Sequence, residues 1–452
     1  MVSVKEFKIN EYLTLRLENG YTNIYVADRI FNQCKYLILN IPVEEIEELD
    51  ELESIDEAAE SLDHSLEGLH PYGYGIPPDT EFWAHCSNLQ AWFENGYDTR
   101  LLHRNLAFSL LERLTDVGDP LARKVFKDEL SSRYLSGFMP VRLYFLEKSL
   151  LRYLTREELQ SIVNTEDLEQ IRENFFYDDL HGQLIIAYHY VQLGMNQRAI
   201  NIINFVKAYH PEEYELWYLI ANIYGKLYSL EILNSSKAQE YITLAISSMQ
   251  RVLEAAPSDF YEMASMTRLA FFYISNKDFE LAERYLEESL NLNRDYWPTW
   301  DNLGELYKSQ KRYKKAIEMY LQAYEIDPYM KHIYGNIAEC YYYDKNYAKC
   351  IKYAKKQLAR NSMHYEALYF LGSCCYKSGN YQKAVNFLSL ALDCDEWFKS
   401  HFTTTDVFIW KKLGKIYYHT KNYEKALSFL QKVVAHTMDN QKYVDLINTI
   451  KK

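Results

Sequence analysis

The sequence predicts a mainly α-helical chain, in which a superhelical array of helix–turn–helix units follows a small antiparallel β-meander and an irregular helical module. Three observations support this fold class. Aromatic and small residues recur with a period of 34 residues between 279 and 384, and less regular copies of the pattern extend over 180–439. Apolar and polar side chains alternate over 12–42, as in half-buried strands. Residues 81–179 show helical spacing of apolar side chains without that period.

The N-terminal residues 1–42 predict a three-stranded antiparallel meander. Asn19-Gly20 supplies a tight turn between the first two strands. The alternating segments are 13–17, 22–26 and 35–41.

An acidic segment at 43–70 follows the meander. Between Val43 and Leu69 it holds twelve Asp or Glu residues and no Lys or Arg. Its apolar side chains share one helical face: Ile46, Leu49, Leu52, Ile55, Ala59, Leu62 and Leu66. We expect an amphipathic helix here rather than a disordered acidic tail.

A helical module is expected over 71–179. Residues 71–80 are rich in Tyr, Gly and Pro and predict a linker or an ordered loop. The stretch TDVGDPLARKVFKDEL resembles the turn and second helix of HEAT-like repeats. Residues 1–165 as a whole resemble an uncharacterised domain that precedes repeat arrays in archaeal proteins. The words that carry this resemblance are CKYLILNIPVEEIEE, SIDEAAESLDHSLE, EFWAHCSNLQAWFENGYDTRLLHRNLAF and VGDPLARKVFKDEL. It implies a shared front domain and lends no function.

The 34-residue pattern combines an aromatic residue before a second helix, a small residue three positions later and a Leu-Gly pair in the first helix. The aromatic residues are Phe279, Tyr313, Tyr347, Tyr381 and, after an insertion, Tyr423. The small residues are Ala282, Ala316, Cys350, Ala384 and Ala426. The Leu-Gly pairs lie at 303–304, 371–372 and 413–414. Small residues at these places allow the two helices of a unit to approach closely.

This pattern resembles the tetratricopeptide repeat (TPR), a helix–turn–helix unit of 34 residues. The resemblance covers seven units, the first two degenerate: 180–213, 214–259, 263–296, 297–330, 331–364, 365–398 and 407–439. It implies a right-handed superhelix of stacked units, because no unit can bury its apolar face alone. We expect a short capping helix at 440–452.

Composition favours a cytoplasmic protein. The N-terminal residues MVSVKEFKIN lack the apolar core of a signal peptide, and no stretch reaches the roughly 18 apolar residues of a membrane span. The seven cysteines are scattered, which suits a reducing compartment. We therefore expect no membrane association.

Charge is unevenly distributed along the chain. The net charge is −13; residues 1–179 carry 17 Lys or Arg and 34 Asp or Glu, and residues 180–452 carry 33 and 29. A nucleic-acid-binding protein needs a basic stripe, so this balance argues against nucleic acid as a partner.

The densest group of reactive side chains lies at 81–104. Glu81, His85 and Cys86, with His103 downstream, suggest a nucleophile pair or a metal site. His85 and Cys86 are sequence neighbours, however, and point in different directions on a helix. The simpler interpretation is a helix that packs through Trp83, Cys86, Leu89 and Trp92. We expect no catalytic residue, metal or cofactor, since phosphate-binding and metal-binding motifs are absent from the sequence.

Two cysteines occupy the same place in adjacent units. Cys340 and Cys374 could approach each other as a redox or metal site, with Cys375 beside the latter. The alternative is that they are small buried residues at helix contacts.

The free side of each first helix offers a binding surface. Places 2, 5, 9 and 12 of a unit face away from its second helix, and the TPR resemblance implies that they line a concave groove. The candidate groove residues are Tyr188, Tyr218, Asn222, Phe271, Asp301, Glu305, Glu339, Tyr342, Tyr369, Tyr376, Lys411, Lys415 and Tyr418, with Leu184, Thr267 and Lys308 at equivalent places. An aromatic floor with an acidic middle and a basic end suits a peptide or partner helix. The alternative is that these tyrosines pack only on their neighbours.

The sequence therefore predicts a non-enzymatic protein–protein interaction scaffold. The carboxylate clamp of chaperone-binding TPR proteins is disfavoured, because only Asn222 fits its pattern. Two alternatives stay open. One makes residues 81–104 an enzyme or metal centre with the array as a targeting handle. The other docks the acidic segment on basic residues of the array: Lys311, Arg312, Lys314 and Lys315.

Overall fold

The structure is a computed structural model of the chain. It describes residues 5–32, 54–61, 77–209, 212–231, 235–255, 258–328, 330, 332–360, 364–394, 405–436 and 441–451. These residues form two compact units, 1–162 and 163–452. The division falls inside the helical module predicted over 71–179.

The first unit begins with an antiparallel sheet of four strands in sequential order. The strands are β1 Lys5–Lys8, β2 Leu13–Glu18, β3 Tyr21–Val26 and β4 Arg29–Ile30. Leu15 pairs with Ile24 and both are fully buried, so the predicted alternation does direct one face into the core. The prediction located β2 and β3 but missed β1 and β4, and its strand at 35–41 lies outside the described residues.

The described residues of the first unit also form six α-helices: α1 Ile55–Ser61, α2 Pro78–Glu94, α3 Arg104–Val117, α4 Pro120–Leu135, α5 Met139–Glu147 and α6 Arg156–Ile162. The described part of the acidic segment is α1, and the remainder of the helix predicted at 43–70 lies outside the described residues. Buried Asp56 on α1 accepts from Arg133 at 2.6 Å and from the Arg104 backbone N–H at 2.9 Å. Glu60 pairs with Arg104 at 2.9 Å. These carboxylates therefore hold α1 within its own unit.

The second unit is a run of antiparallel helix pairs after α7 Thr165–Phe175. The first helices of the pairs, which we call A helices, are α8 Leu180–Leu193, α10 Tyr214–Leu230, α12 Asp259–Ser275, α14 Trp297–Ser309, α16 Ile333–Tyr343, α18 Tyr365–Lys377 and α20 Thr405–His419. The second, or B, helices are α9 Asn196–Tyr209, α11 Ser235–Glu254, α13 Phe279–Leu292, α15 Tyr313–Ile326, α17 Tyr347–Arg360, α19 Tyr381–Leu392 and α21 Tyr423–Ala435. The terminal helix α22 Gln441–Lys451 packs on α21, at the position expected for a cap.

Small residues set the distance between the A and B helices of a pair. A Cβ atom on Gly304 of α14 would lie 2.4 Å from the ring of Tyr320 on α15, and one on Gly414 of α20 would lie 2.8 Å from Leu430 on α21. The small residues of the periodic pattern are all buried: Ala282, Ala316, Cys350, Ala384 and Ala426. This close approach is the physical basis of the 34-residue pattern, and the mainly helical fold class is confirmed.

Candidate ligand groove of the repeat array

Side chains of successive A helices form a continuous surface, which we call the A face. The helices α8 and α10, α12 and α14, α16 and α18, and α18 and α20 pack side by side. Side-chain hydrogen bonds link α10 to α12 and α14 to α16. All thirteen predicted groove residues retain solvent exposure: Phe271 is 38% exposed, and the other twelve are half-buried. Their exposure suits a binding surface.

Two residues at equivalent places do not reach the A face. Leu184 is 1% exposed and Thr267 is 5% exposed. The Thr267 hydroxyl lies 3.1 Å from that of Thr299 and 3.2 Å from that of Ser289, in a buried hydroxyl cluster between α12, α13 and α14. Their assignment to the groove was therefore wrong.

The middle of the A face carries paired charges. Lys308 Nζ donates to Glu305 at 2.8 Å and to Glu339 at 3.1 Å. The three side chains keep 29% (Glu305), 20% (Lys308) and 25% (Glu339) of their area exposed. Tyr320 donates to Glu305 at 2.5 Å, and His332 lies 3.3 Å from Asp301. Residues of the array itself thus pair with part of the predicted acidic middle, in which three carboxylates have one lysine and one histidine as cationic partners.

The pKa values of this group reflect the pairing. Burial alone would lower the pKa of Lys308, but the carboxylates of Glu305 and Glu339 raise it above its ordinary value. Burial raises the pKa of Glu339, and Lys308 offsets this only in part. Burial would also raise the pKa of Glu305, but Lys308, the Tyr320 hydroxyl and His332 together lower it below its ordinary value. The lysine is therefore held as a cation between two carboxyl groups.

Sequence reasoning did not identify Arg268 of α12, a cation on the A face. Its Nε donates to Asn222 Oδ1 at 2.9 Å, and its guanidinium carbon lies 5.3 Å from the ring centroid of Phe271. Burial lowers the pKa of Arg268, with the hydroxyl groups of Tyr218 and Tyr188 acting in the opposite direction. Across the described ranges, no carboxylate forms an ion pair with this side chain. Because a guanidinium stays charged in proteins, Arg268 is an unneutralised cation among predicted groove residues.

The aromatic residues of the later units contact one another as well as solvent. The ring of Tyr342 lies 5.3 Å from that of Phe370, and Tyr369 lies 5.2 Å from the same ring. Tyr376 contacts Tyr381 at 6.0 Å. Truncation of these tyrosines would therefore disturb the packing of the array as well as its surface, so charged residues make cleaner probes of the groove.

Of the reactive side chains at 81–104, Glu81, His85 and Cys86 lie on α2 and His103 directly precedes α3. Burial raises the pKa of Cys86 to about 11, which disfavours a thiolate nucleophile near neutral pH. His85 Nε2 lies 3.9 Å from Glu81, one turn earlier on α2. In the residues that the structure describes, no three His, Cys, Asp or Glu side chains are arranged to hold a metal ion. Of the residues predicted to pack, Cys86, Leu89 and Trp92 are buried, whereas Trp83 is 53% exposed and contacts the rings of Phe7 and Phe82.

The paired cysteines of the array differ from those predicted. Cys374 Sγ lies 3.4 Å from Cys350 Sγ and not beside Cys340. All three thiols are buried. Cys350 lies on α17 and Cys374 on α18, and these two helices pack against each other.

Comparison with family models confirms tetratricopeptide repeats in the array. Two models described as tetratricopeptide repeat match residues 261–328 and 409–435. A third, described as anaphase-promoting complex, cyclosome, subunit 3, matches residues 309–390. The comparison with curated proteins gives no match.

Several solved structures of repeat proteins are similar to this chain at low sequence identity. A tetratricopeptide repeat protein from Parabacteroides merdae is 14% identical, covers 60% of this chain and 99% of its own, and has a TM-score of 0.44. The Cut9–Hcn1 hetero-tetramer of the APC/C is 14% identical. The match covers 81% of this chain and 77% of that chain, with a TM-score of 0.40. PilF of Pseudomonas aeruginosa is 17% identical. The match covers 50% of this chain and 97% of that chain, with a TM-score of 0.38.

Among the helices described here, none combines the length and the apolar character needed to cross a bilayer.

Proposed function

We propose that the A face of the repeat array binds a peptide segment or helix of a protein partner, and that the chain acts as a non-enzymatic scaffold. The repeats in the chain support a protein–protein interaction scaffold in general terms. The A face supports the more specific proposal, because partly exposed aromatic and charged side chains continue across seven successive A helices.

The observation that supports this proposal most strongly is that Arg268 on the A face has no carboxylate partner among the described residues. Holding a guanidinium away from bulk water costs free energy, and a carboxylate partner normally offsets that cost. Asn222 supplies one neutral acceptor at 2.9 Å, and the rings of Phe271 and Phe272 lie on the guanidinium at 5.3 and 5.2 Å. These contacts fix the side chain without neutralising it. A ligand that supplies an acceptor would therefore gain a charge-assisted hydrogen bond here.

Peptide selection with a matched pair of variants tests this proposal. Peptides from a random displayed library would be selected on the full-length protein, and their affinities measured for wild type, Arg268→Gln and Arg284→Gln. Arg284 lies on α13 of the same unit, is 57% exposed and contacts Tyr285 and Glu288. It therefore provides the same substitution on a B helix.

We expect Arg268→Gln to weaken peptide binding by about tenfold, since a hydrogen bond to a charged group contributes about 1.5–3 kcal/mol. Arg284→Gln should change it less than about twofold. Equal affinities for wild type and Arg268→Gln across all selected peptides would count against binding at the A face. Thermal unfolding of both variants would verify that the array remains folded.

A further inference from the structure

A second group of unneutralised cations lies at the C-terminal end of the array. It consists of Lys377 at the end of α18, Lys411, Lys412 and Lys415 on α20, and Lys442 on α22, and we call it the lysine cluster. Positions three and four apart share one side of a helix, so Lys415 lies beside both Lys411 and Lys412. Three elements that are separate in sequence thus bring positive charge to one place.

Aromatic side chains position these lysines. Lys412 Nζ donates to the Tyr342 hydroxyl at 3.3 Å and lies 5.1 Å from the ring centroid of Tyr369. Lys411 and Lys415 lie 5.5 and 6.0 Å from the ring centroid of Tyr443 on α22. Aromatic faces attract cations, and the rings therefore hold the ammonium groups without cancelling their charge.

The lysines repel one another. Burial lowers the pKa of Lys412 to about 8, and Lys377 and Lys415 add to this effect. Burial together with Lys442, Lys377 and Lys411 also lowers the pKa of Lys415. Within the part of the chain that the structure describes, no Asp or Glu forms an ion pair with any member of the cluster. Collecting these charges costs free energy, and an anionic ligand would lower that cost.

We propose that the lysine cluster binds a run of Asp and Glu side chains in a partner protein. This inference rests on the proposed function, because it assigns a chemistry to the part of the bound segment that lies at the C-terminal end of the A face. Carboxylates are complementary to the clustered ammonium groups, and the tyrosine rings offer contact area for the intervening peptide backbone.

The neighbouring charges favour an acidic peptide over a nucleic acid. Glu339 lies one turn before Tyr342 on α16, and with Glu305 and Asp301 it places carboxylates next along the A face. A nucleic acid carries a charge at every phosphate and would meet these groups. A polypeptide can restrict its acidic residues to the lysine cluster. The net charge of −13 also opposes a long polyanion.

Fluorescence anisotropy with a labelled octaglutamate peptide and the full-length protein tests the inference. The cluster variant is Lys411→Gln/Lys412→Gln/Lys415→Gln. The matched control, which also removes three positive charges, is Lys421→Gln/Lys425→Gln/Lys432→Gln on and just before α21 of the same unit, where all three lysines are exposed. We expect the cluster variant to lose at least about tenfold in affinity and the control less than about twofold.

Equal losses in the two variants would overturn the inference, since they would indicate a bulk charge effect. So would binding of an RNA oligonucleotide in place of octaglutamate. If the triple variant unfolds, the single changes Lys415→Glu and Lys425→Glu provide the same comparison, with a loss expected for the first alone.

The two proposals fail separately. If selected peptides require Arg268 and octaglutamate does not bind, the lysine cluster is excluded while the proposed function stands. If octaglutamate binds through the lysine cluster and no selected peptide depends on Arg268, the lysine cluster stands as a binding site and binding does not extend to α12.

Discussion

Two half-buried lysines on the A face have neighbours of opposite electrostatic effect. Lys308 on α14 lies between the carboxylates of Glu305 and Glu339, which raise its pKa. Lys412 on α20 contacts tyrosines, and burial together with other lysines lowers its pKa to about 8. The two side chains belong to the same kind of helix in the same array. What differs is whether the protein supplies the counter-charge.

This difference distinguishes charged residues that stabilise the array from charged residues that are available to a ligand. A lysine with two carboxylate partners within 3.1 Å is already satisfied and joins α14 to α16. A lysine without a carboxylate partner in the described structure keeps its capacity for a ligand. Arg268 resembles the lysine without a carboxylate partner. Asp56 of the first unit is a paired charge, since it forms ion pairs with Arg133 and Arg104. Paired charges in this protein therefore mark structural joints, and unpaired cations mark candidate ligand sites.

The largest expected effect is the removal of the paired lysine. Lys308→Met leaves Glu305 and Glu339 facing each other at partly buried positions, and we expect the free energy of unfolding to fall by about 2 kcal/mol. Lys314→Met, at an exposed position on α15, is the control and should change it by less than about 0.5 kcal/mol. Urea denaturation followed by circular dichroism measures both values. If Lys308→Met leaves the free energy of unfolding unchanged, the distinction between Lys308 and Lys412 is wrong.

A smaller effect of opposite sign is expected at the unpaired lysine. Lys412→Met removes a desolvated cation that Lys377 and Lys415 repel, and it should stabilise the protein by about 1 kcal/mol near pH 7, after allowance for solvent screening. The same urea experiment measures the change. A loss of stability as large as that of Lys308→Met would show that Lys412 is a structural residue.

The gain from Lys412→Met should depend on pH in a defined direction. The native pKa of Lys412 is about 8, below the ordinary value of 10.5. The wild-type protein carries the full cost of the charge below about pH 8, and this cost declines as the native lysine loses its proton between about pH 8 and about pH 10.5. The stability difference between Lys412→Met and wild type should therefore shrink from pH 7 to pH 9.5. A constant difference would contradict the lowered pKa.

The repeat architecture was predictable because the residues that determine its packing recur at a regular spacing in the sequence. The places of Gly304, Ala316 and Tyr313 recur every 34 residues, since each unit must solve the same packing problem between its two helices. The strand β1, with the sequence KEFK and mostly exposed side chains, offers no such regularity and was missed.

The groove was only partly predictable, because side-chain environment depends on neighbouring units. Arg268 and Lys412 both occupy the sixth place of a unit, which lay outside the predicted stripe, yet they contact its members Asn222 and Tyr342. Thr267, at a predicted place, is instead drawn into a buried hydroxyl cluster by Ser289 and Thr299. Arg or Lys between two core places of an A helix is the signal that could have identified the missed cations.

Proton uptake on ligand binding tests the central claim most directly. Titration calorimetry of wild type and Lys412→Met with octaglutamate at pH 8, in two buffers of different ionisation enthalpy, measures the protons exchanged on binding. A carboxylate beside Lys412 raises its pKa, so the wild-type protein should take up about half a proton per peptide more than Lys412→Met does. Binding without proton uptake, or with equal uptake by both proteins, would contradict the claim that this unpaired cation receives the ligand's carboxylates.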